Sequence, residues 1–355
     1  MGCSPLVPER LSTPKFLPEP VAIFYNDEFV SHLQEPFHPE SPERLRGIVQ
    51  ALKQHDLWKD VIPSKQGRME HLLLVHSENY IDYIKTCGEC SLTADTRVHH
   101  ETYEIAALSA ESAVDAASWS KANGKPAFAL TRPPGHHAGP DYGMGFCYFN
   151  NISIAAKHLL KNGDKKIAIV DEDVHHGNGT QEIFEEDPNV LYISTHEMGI
   201  FPGTGQVDFV GEGEGEGFTV NLPLPSGSGD STFDVAHMEI IKPIVTQFKP
   251  DAILVSWGID THYKDTLGTL SLSSEGHVRQ STELIKLAKI CGGRITFMLE
   301  GGYDIQALSE VVAATIGETE GVQVPLEFTD IIDNSCVGRG NILRCKQVAS
   351  QYWKL

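Results

Sequence analysis

The chain has 355 residues, 41% hydrophobic and 21% charged, with 28 basic against 48 acidic side chains and a formal net charge of −20. That composition suits a globular protein with a sizeable core, and its acidity argues against direct nucleic-acid binding while favouring cationic ligands. No apolar run reaches the roughly 18–20 residues that cross a bilayer, no secretory profile opens the chain, and Leu6 stands where N-myristoylation wants Ser or Thr, so no membrane association is expected.

Residues 1–19 are proline-rich and read as an extended arm, and 20–355 as one domain. Residues 20–25 form the first strand, and turn signals at 38–44 lead into a helix through about Leu57. Helical periodicity returns at 77–87 and 101–122, with 91–100 between them as a polar loop. From Ala127 strands and helices alternate. Strands are expected at 127–131, 167–171, 190–195, 218–222, 252–256 and 295–299. Helices are expected at 150–162, 180–186, 231–248, 273–291 and 304–317, with a closing helix at 339–352. The acidic, glycine-rich stretch 207–217 reads as a flexible turn. Such alternation implies a single α/β domain on a mainly parallel central sheet with helices on both faces. Seven cysteines without framework spacing suit a reducing compartment, and Cys87-Gly-Glu-Cys90 reads as two incidental thiols.

Four strand ends carry polar residues that architecture does not require, where open α/β sheets place their working groups. After 127–131 a Pro133-Pro134-Gly135 turn presents His136 and His137. After 167–170 come Asp171, Asp173, His175 and His176; in extended chain Asp173 and His175 point the same way. Asp260 follows the strand at 252–257, and Glu300-Gly-Gly-Tyr303 follows 295–299. Asp173, His175 and Asp260 would be three ligands of a divalent cation such as zinc, with a position left for water. A histidine within reach could take the water's proton, and a tyrosine hydroxyl could hold an oxyanion. This is the recipe for metal-assisted hydrolysis of an unactivated amide.

The motifs Arg-Pro-Pro-Gly-His-His-Ala, Gly145-Phe-Cys-Tyr-Phe-Asn150, Val-Asp-Glu-Asp-Val-His-His-Gly-Asn-Gly-Thr-Gln, Phe201-Pro-Gly-Thr-Gly205, Gly-Ile-Asp-Thr-His and Leu-Glu-Gly-Gly-Tyr resemble the zinc-dependent histone deacetylase superfamily, which includes the acetylpolyamine amidohydrolases. The match runs from about residue 20 to the end. It implies the arginase-deacetylase fold, a parallel sheet near eight strands. By resemblance Asp173, His175 and Asp260 match the zinc ligands, His137 the general base and acid, His136 the residue that tunes it, and Tyr303 the phenol that polarises the substrate carbonyl. Asp171 and Asn178 match the partners that orient the two histidines. An asparagine there resembles the class II enzymes and their bacterial relatives.

The same resemblance gives Gly145, Phe146 and Phe201 to the walls of an acyl-lysine tunnel, Leu267 to its mouth, and Asp95 to the rim carboxylate that grips substrate backbone. Asp171, Asp173, His175, Ser194 and Thr195 match a structural potassium site bound largely through backbone oxygens, and Phe184, Asp187, Val190 and Phe218 match a second, weaker one. Glu172 stands where relatives are often aromatic or apolar, and Thr266 replaces a common proline at the rim. Gly177 stands where binuclear manganese relatives carry a carboxylate, which disfavours arginase-type chemistry.

The expected activity is zinc-dependent removal of acetyl or another short acyl group from lysine side chains of proteins or peptides. Acetylated polyamines are the alternative substrate, less favoured because no long insertion is present and Leu267 offers no acidic gatekeeper. A non-catalytic acyl-lysine binding module is disfavoured because ligands, base and tyrosine are all in place. The expected location is cytoplasmic, or nuclear in a eukaryote, and self-association is left open.

Overall fold

At 167–170, 252–255 and 297–299 apolar residues fill consecutive rather than alternate positions, as strands covered on both faces require. The computed structural model describes residues 20–333 and 335–355 and sets these runs at the centre of an eight-stranded sheet. In chain order the strands are β1 (Ala22–Phe24), β2 (Val61–Ile62), β3 (Cys90–Thr93), β4 (Thr96–Val98), β5 (Ala127–Ala129), β6 (Ile167–Asp171), β7 (Val190–Glu197), β8 (Thr219–Leu224), β9 (Ala252–Trp257) and β10 (Ile295–Leu299). The main sheet runs β2-β1-β5-β10-β9-β6-β7-β8 with every neighbouring pair parallel, while β3 and β4 make a separate antiparallel hairpin. The expected single α/β domain is therefore the observed one. The arm expected at 1–19 lies outside the described residues.

Side-chain alternation along each strand feeds two cores. Ala168 and Val170 of β6 join one apolar cluster, and Ile167 and Ile169 join the other. The first is closed by the helices Glu43–Gln54, Ser274–Leu287, Ile305–Glu320 and Arg339–Ala349, and the second by Glu78–Thr86, Thr102–Asn123 and Asn151–Lys161. At the sheet centre Phe128 stacks on Phe297 with centroids 4.9 Å apart, and Trp257 packs on both at 5.5 and 5.3 Å. All three are fully buried; truncating such an aromatic to alanine costs about 3–5 kcal/mol.

The structure departs from the sequence reading in four places. Residues 91–100 are not a plain loop but carry the β3–β4 hairpin, with Thr96 and Val98 buried and Asp95 in its turn. Strand β2 has two residues, too short to leave a pattern. The helix expected over 231–248 is interrupted by a π-helical segment, His237–Ile241, just before Pro243; proline lacks the N–H that would bond back to residue 239. Finally, Cys87 and Cys90 are not free thiols but a disulfide. Gly88, with φ +73°, makes the turn that brings their Cα atoms to 6.0 Å.

Candidate active site

Sheet order places β5, β10, β9 and β6 side by side, so the polar segments after their carboxyl ends converge. Asp171 of β6 pairs with Ser256 of β9, and Trp257 of β9 with Leu299 of β10, so these ends finish level.

Asp173, His175 and Asp260 each offer one ligand atom, all within 4.8 Å of one another. Strand alternation does not align the first two, because β6 ends at Asp171. A tight turn does so instead: Asp173 Oδ1 accepts from His175 N at 2.9 Å and lies 3.1 Å from His175 Nδ1. Asp260 Oδ1 accepts from Val174 N at 2.9 Å, and its other oxygen, Oδ2, lies 3.4 Å from His175 Nδ1. That Oδ2 is buried and makes no hydrogen bond. A carboxylate oxygen so placed is costly unless a cation meets it. Gly301 makes the crowding feasible, since a Cβ there would lie 2.0 Å from Asp260 Oδ2 and 2.7 Å from Asp173 Oδ2. Its N–H donates to Asp173 Oδ2 at 2.8 Å.

Burial opposes a charge on His175, yet the Asp173 and Asp260 carboxylates lift its pKa to about 10. Burial and the neighbouring Asp173 push Asp260 up to about 7. Asp173 is held below the usual carboxylate range by His136 and His175, against its own burial. The cluster thus attracts positive charge, and its two oxygens and one imidazole nitrogen suit zinc.

Beside the trio stand His136 and His137, their ring centroids 3.9 Å apart. His136 Nδ1 lies 3.1 Å from Asp171 Oδ2, which also accepts from Tyr192 Oη at 3.0 Å. His137 Nδ1 lies 2.8 Å from Asn178 Oδ1. Burial alone would lower both histidines, but Asp173 and Asp171 carry His136 up to about 10. His137 has no carboxylate on Nδ1 and sits well below the ordinary value, depressed by burial and by positive charge on His136 and His175. The turn that presents the pair is pinned from below: Glu300 Oε2 accepts from Gly135 N at 2.6 Å and from His136 N at 3.2 Å.

Tyr303 follows the Gly301-Gly302 turn. Burial, with Asp260 and Asp173 nearby, raises its phenol well above the ordinary range, so the hydroxyl stays a donor. Asp265 Oδ2 accepts from Tyr303 N at 2.6 Å and Asp304 N at 3.1 Å, and Asp265 Oδ1 accepts from Leu267 N at 3.0 Å. One carboxylate therefore ties Leu267 to the tyrosine loop. The Arg44 guanidinium lies 5.0 Å from the Tyr303 ring centroid and donates from Nε to Gly302 O at 2.7 Å.

Aromatic rings flank the approach. Phe201 is 5.1 Å from the His137 ring and 6.1 Å from His175, and Phe146 is 5.9 Å from Tyr303. Gly145, with φ +55°, passes between: a Cβ there would meet His137 Cδ2 at 2.4 Å and Phe201 Cε1 at 2.9 Å. Asp95 sits in the hairpin turn, where its Oδ1 accepts from Thr93 Oγ1 at 2.6 Å and Thr96 Oγ1 at 2.9 Å. Thr96 Oγ1 also accepts from Phe146 N at 2.9 Å.

Around the potassium-matched residues, Ser194 lies opposite Asp171 in the sheet, and Thr195 Oγ1 donates to Asp171 O at 3.3 Å. At the second set, Asp187 N donates to Phe184 O, Val190 N to Asp187 O and Tyr192 N to Phe218 O, at 2.9, 3.2 and 2.9 Å. The Asp187 carboxylate there is paired with Lys157 Nζ at 2.9 Å. His176 is buried away from the trio, 2.8 Å from Thr204 Oγ1 and ring-to-ring with His196 at 4.8 Å. Glu172 is buried, and burial with the neighbouring Asp171 pushes its carboxyl to about 8.

Three converging side chains that could hold a metal ion, an oriented histidine pair and a protonated tyrosine stand together at the carboxyl edge of the parallel sheet of an α/β protein. The histone deacetylase domain matches residues 38–319, and the chain belongs to the histone deacetylase family. A probable deacetylase of Archaeoglobus fulgidus is 37% identical over 94% of this chain and 98% of its own length. Histone deacetylase 14, chloroplastic, of Arabidopsis thaliana is 39% identical over 79% of this chain and 73% of that protein. The crystal structure of an HDA15 HD domain superposes with a TM-score of 0.86 at 34% identity, covering 94% of this chain and 95% of that one. The chain is a hydrolytic deacetylase. Among the described residues no helix is long and apolar enough to cross a membrane.

The structure brings the expected Asp173, His175 and Asp260 together and sets Asp171 and Asn178 beside His136 and His137. Sequence reasoning missed Asp265 and the support role of Glu300, although Glu300 stands inside a motif it quoted.

Proposed function

We propose that the protein is a zinc-dependent deacylase acting on acyl-lysine side chains of proteins or peptides. The observation that carries this reading is Asp260 Oδ2, a buried carboxylate oxygen without a hydrogen bond, facing Asp173 and His175 beside His137 and Tyr303. Asp173, His175 and Asp260 would hold zinc, which supplies Lewis acidity toward water and the amide carbonyl when bound. Burial disfavours charge on His137, and with Nδ1 directed at Asn178 its Nε2 can take the proton of the attacking water. The same nitrogen then returns that proton to the amine as the C–N bond breaks. The Tyr303 hydroxyl donates to the oxygen that gains charge as the carbonyl becomes tetrahedral.

Gly145, Phe146 and Phe201 would line the methylene stem of the lysine, offering apolar area without rival hydrogen bonds. Asp95 and Leu267 would meet the chain at the mouth. Potassium is assigned to the backbone oxygens around Asp171, Asp173, His175, Ser194 and Thr195. The second set is the weaker candidate, since Lys157 already neutralises Asp187.

The test compares turnover of Nε-acetyl-lysine peptides and N-acetylputrescine by the zinc-reconstituted protein. Preference for the peptide by tenfold or more in kcat/KM supports the lysine reading. The reverse preference assigns the acetylpolyamine activity instead, and tight peptide binding without turnover assigns a binding module.

A further inference from the structure

Phe37 stands out on two counts. It is fully exposed, with a relative accessibility of 104%, and its backbone is left-handed at φ +67°. It occupies the third position of the turn Glu35-Pro36-Phe37-His38, closed by His38 N donating to Glu35 O at 3.0 Å. Proline second and a positive φ third is the signature of a turn that asks for glycine at the third place. A phenylalanine there bears the Cβ clash and buries nothing in return. Folding alone therefore does not account for this side chain, and strain of that kind points toward function.

Its position says which function. The next residue, His38, packs its ring 4.7 Å from Phe146, and its Nε2 is 3.3 Å from the carbonyl oxygen of Asp95. Phe146 in turn faces Tyr303. The segment is held at both ends: Glu35 pairs with Arg97 of β4 at 2.9 Å, and His32, buried, lies 3.0 Å from Thr102 Oγ1. An anchored segment thus presents a bare aromatic ring one residue from His38, whose own ring packs on Phe146.

We propose that Phe37 is a specificity-determining residue that packs against the peptide segment flanking the acylated lysine. This rests on the acyl-lysine reading above. A polyamine has no flanking chain for the ring to cover, whereas a peptide brings apolar neighbours to it. Burying an exposed ring against such a neighbour lowers KM without touching the reacting atoms.

The experiment compares Phe37→Ala, Phe37→Gly and wild type on three substrates: an acetyl-lysine peptide with leucine on either side, end-capped Nε-acetyl-lysine alone, and N-acetylputrescine. Melting temperatures are read in parallel. The expected result is a KM for the peptide raised about 5–10-fold in both variants with kcat within about twofold, and unchanged constants for the single capped residue. The glycine variant should melt at or above the wild-type temperature, because the turn strain is relieved. Equal constants for variant and wild type on the peptide overturn the inference. So does a matched change on peptide and single residue. If wild type hydrolyses N-acetylputrescine and not the peptide, the acyl-lysine reading falls and this inference with it; a wild type active on the peptide with silent variants sinks the inference alone.

Discussion

The amide oxygen of Asn178 lies 2.8 Å from Nδ1 of His137. The amide orientation is set by its other end, where Asn178 Nδ2 donates to Tyr142 Oη at 3.1 Å while that hydroxyl donates to Glu182 at 2.5 Å. An acceptor on Nδ1 keeps the proton there and leaves the Nε2 lone pair for chemistry. His136 has a carboxylate in the same place, and the two rings separate in pKa, one up to about 10 and the other well below 6.5. On the proposed mechanism, neighbours pushed apart in this way would divide the work between a charged ring and a neutral base.

The pH profile of kcat/KM should reflect that division. A base must be unprotonated, and burial with adjacent positive charge depresses His137. Activity should therefore persist as pH falls through 6.5 and decline only below it. Asn178→Asp places a carboxylate on Nδ1 and should move the acid limb upward. Asn178→Ala should lower kcat by about 10–100-fold, as lost orienting partners do. An acid limb above pH 7 in the wild type would contradict the assignment of His137 as the base.

Tyr303→Phe keeps the ring against Phe146 and Arg44 and removes only the hydroxyl. Loss of one such donor costs about 10²–10³ in kcat. Zinc content, measured by mass or atomic emission, should stay at the wild-type value. Unchanged turnover would remove Tyr303 from the mechanism.

Metal should stabilise the fold as well as equip it. Zinc in excess over its dissociation constant by about a thousandfold adds about 4 kcal/mol, so the apo protein should melt several degrees lower than the loaded one. Asp260→Asn keeps the Val174 N–H contact through the amide oxygen but removes the charge. That variant should show little zinc-dependent shift in melting temperature, and a wild-type shift in it would place the metal elsewhere.

Acid should destabilise the protein through buried neutral histidines remote from the metal cluster. Burial lowers His76 and His237 to about 4 each. His76 Nε2 accepts from Asn150 N at 2.9 Å, so protonation there breaks a bond at the start of the helix Asn151–Lys161. A folded-state value below the unfolded 6.5 means that the unfolded chain takes up more protons between pH 6.5 and 4. Stability is then complete above 6.5 and falls as pH drops through that window, by at most about 3 kcal/mol per histidine. Denaturant midpoints at pH 7, 6, 5 and 4.5 measure this, and His76→Gln should flatten part of the slope.

The central sheet was legible because β6, β9 and β10 are apolar at every position but Asp171, Ser256 and Thr296, and Asp173, His175 and Asp260 were legible because they stand within four residues of the ends of β6 and β9. The hairpin at 90–98 escaped because its alternation lasts only three or four residues per strand. The disulfide escaped because it depends on one left-handed glycine, Gly88, rather than on cysteine count. Glu300 and Asp265 escaped for another reason. Their bonds run from a side chain to backbone N–H groups 165 and 38 residues away, and no local pattern encodes them. Of the candidate site, the converging carboxylates, histidines and tyrosine and the partners Asp171 and Asn178 were readable, and Glu300 and Asp265, which brace the loops that present them, were not.

The most direct test strips the protein of metal and titrates zinc back while acetate release from an acetyl-lysine peptide is measured. The expected result is no release from the apo protein, recovery that saturates at one zinc per chain, and no recovery in Asp260→Asn at the same zinc concentrations. Acetate release by the metal-free protein, or a fully zinc-loaded protein that releases none, would contradict it.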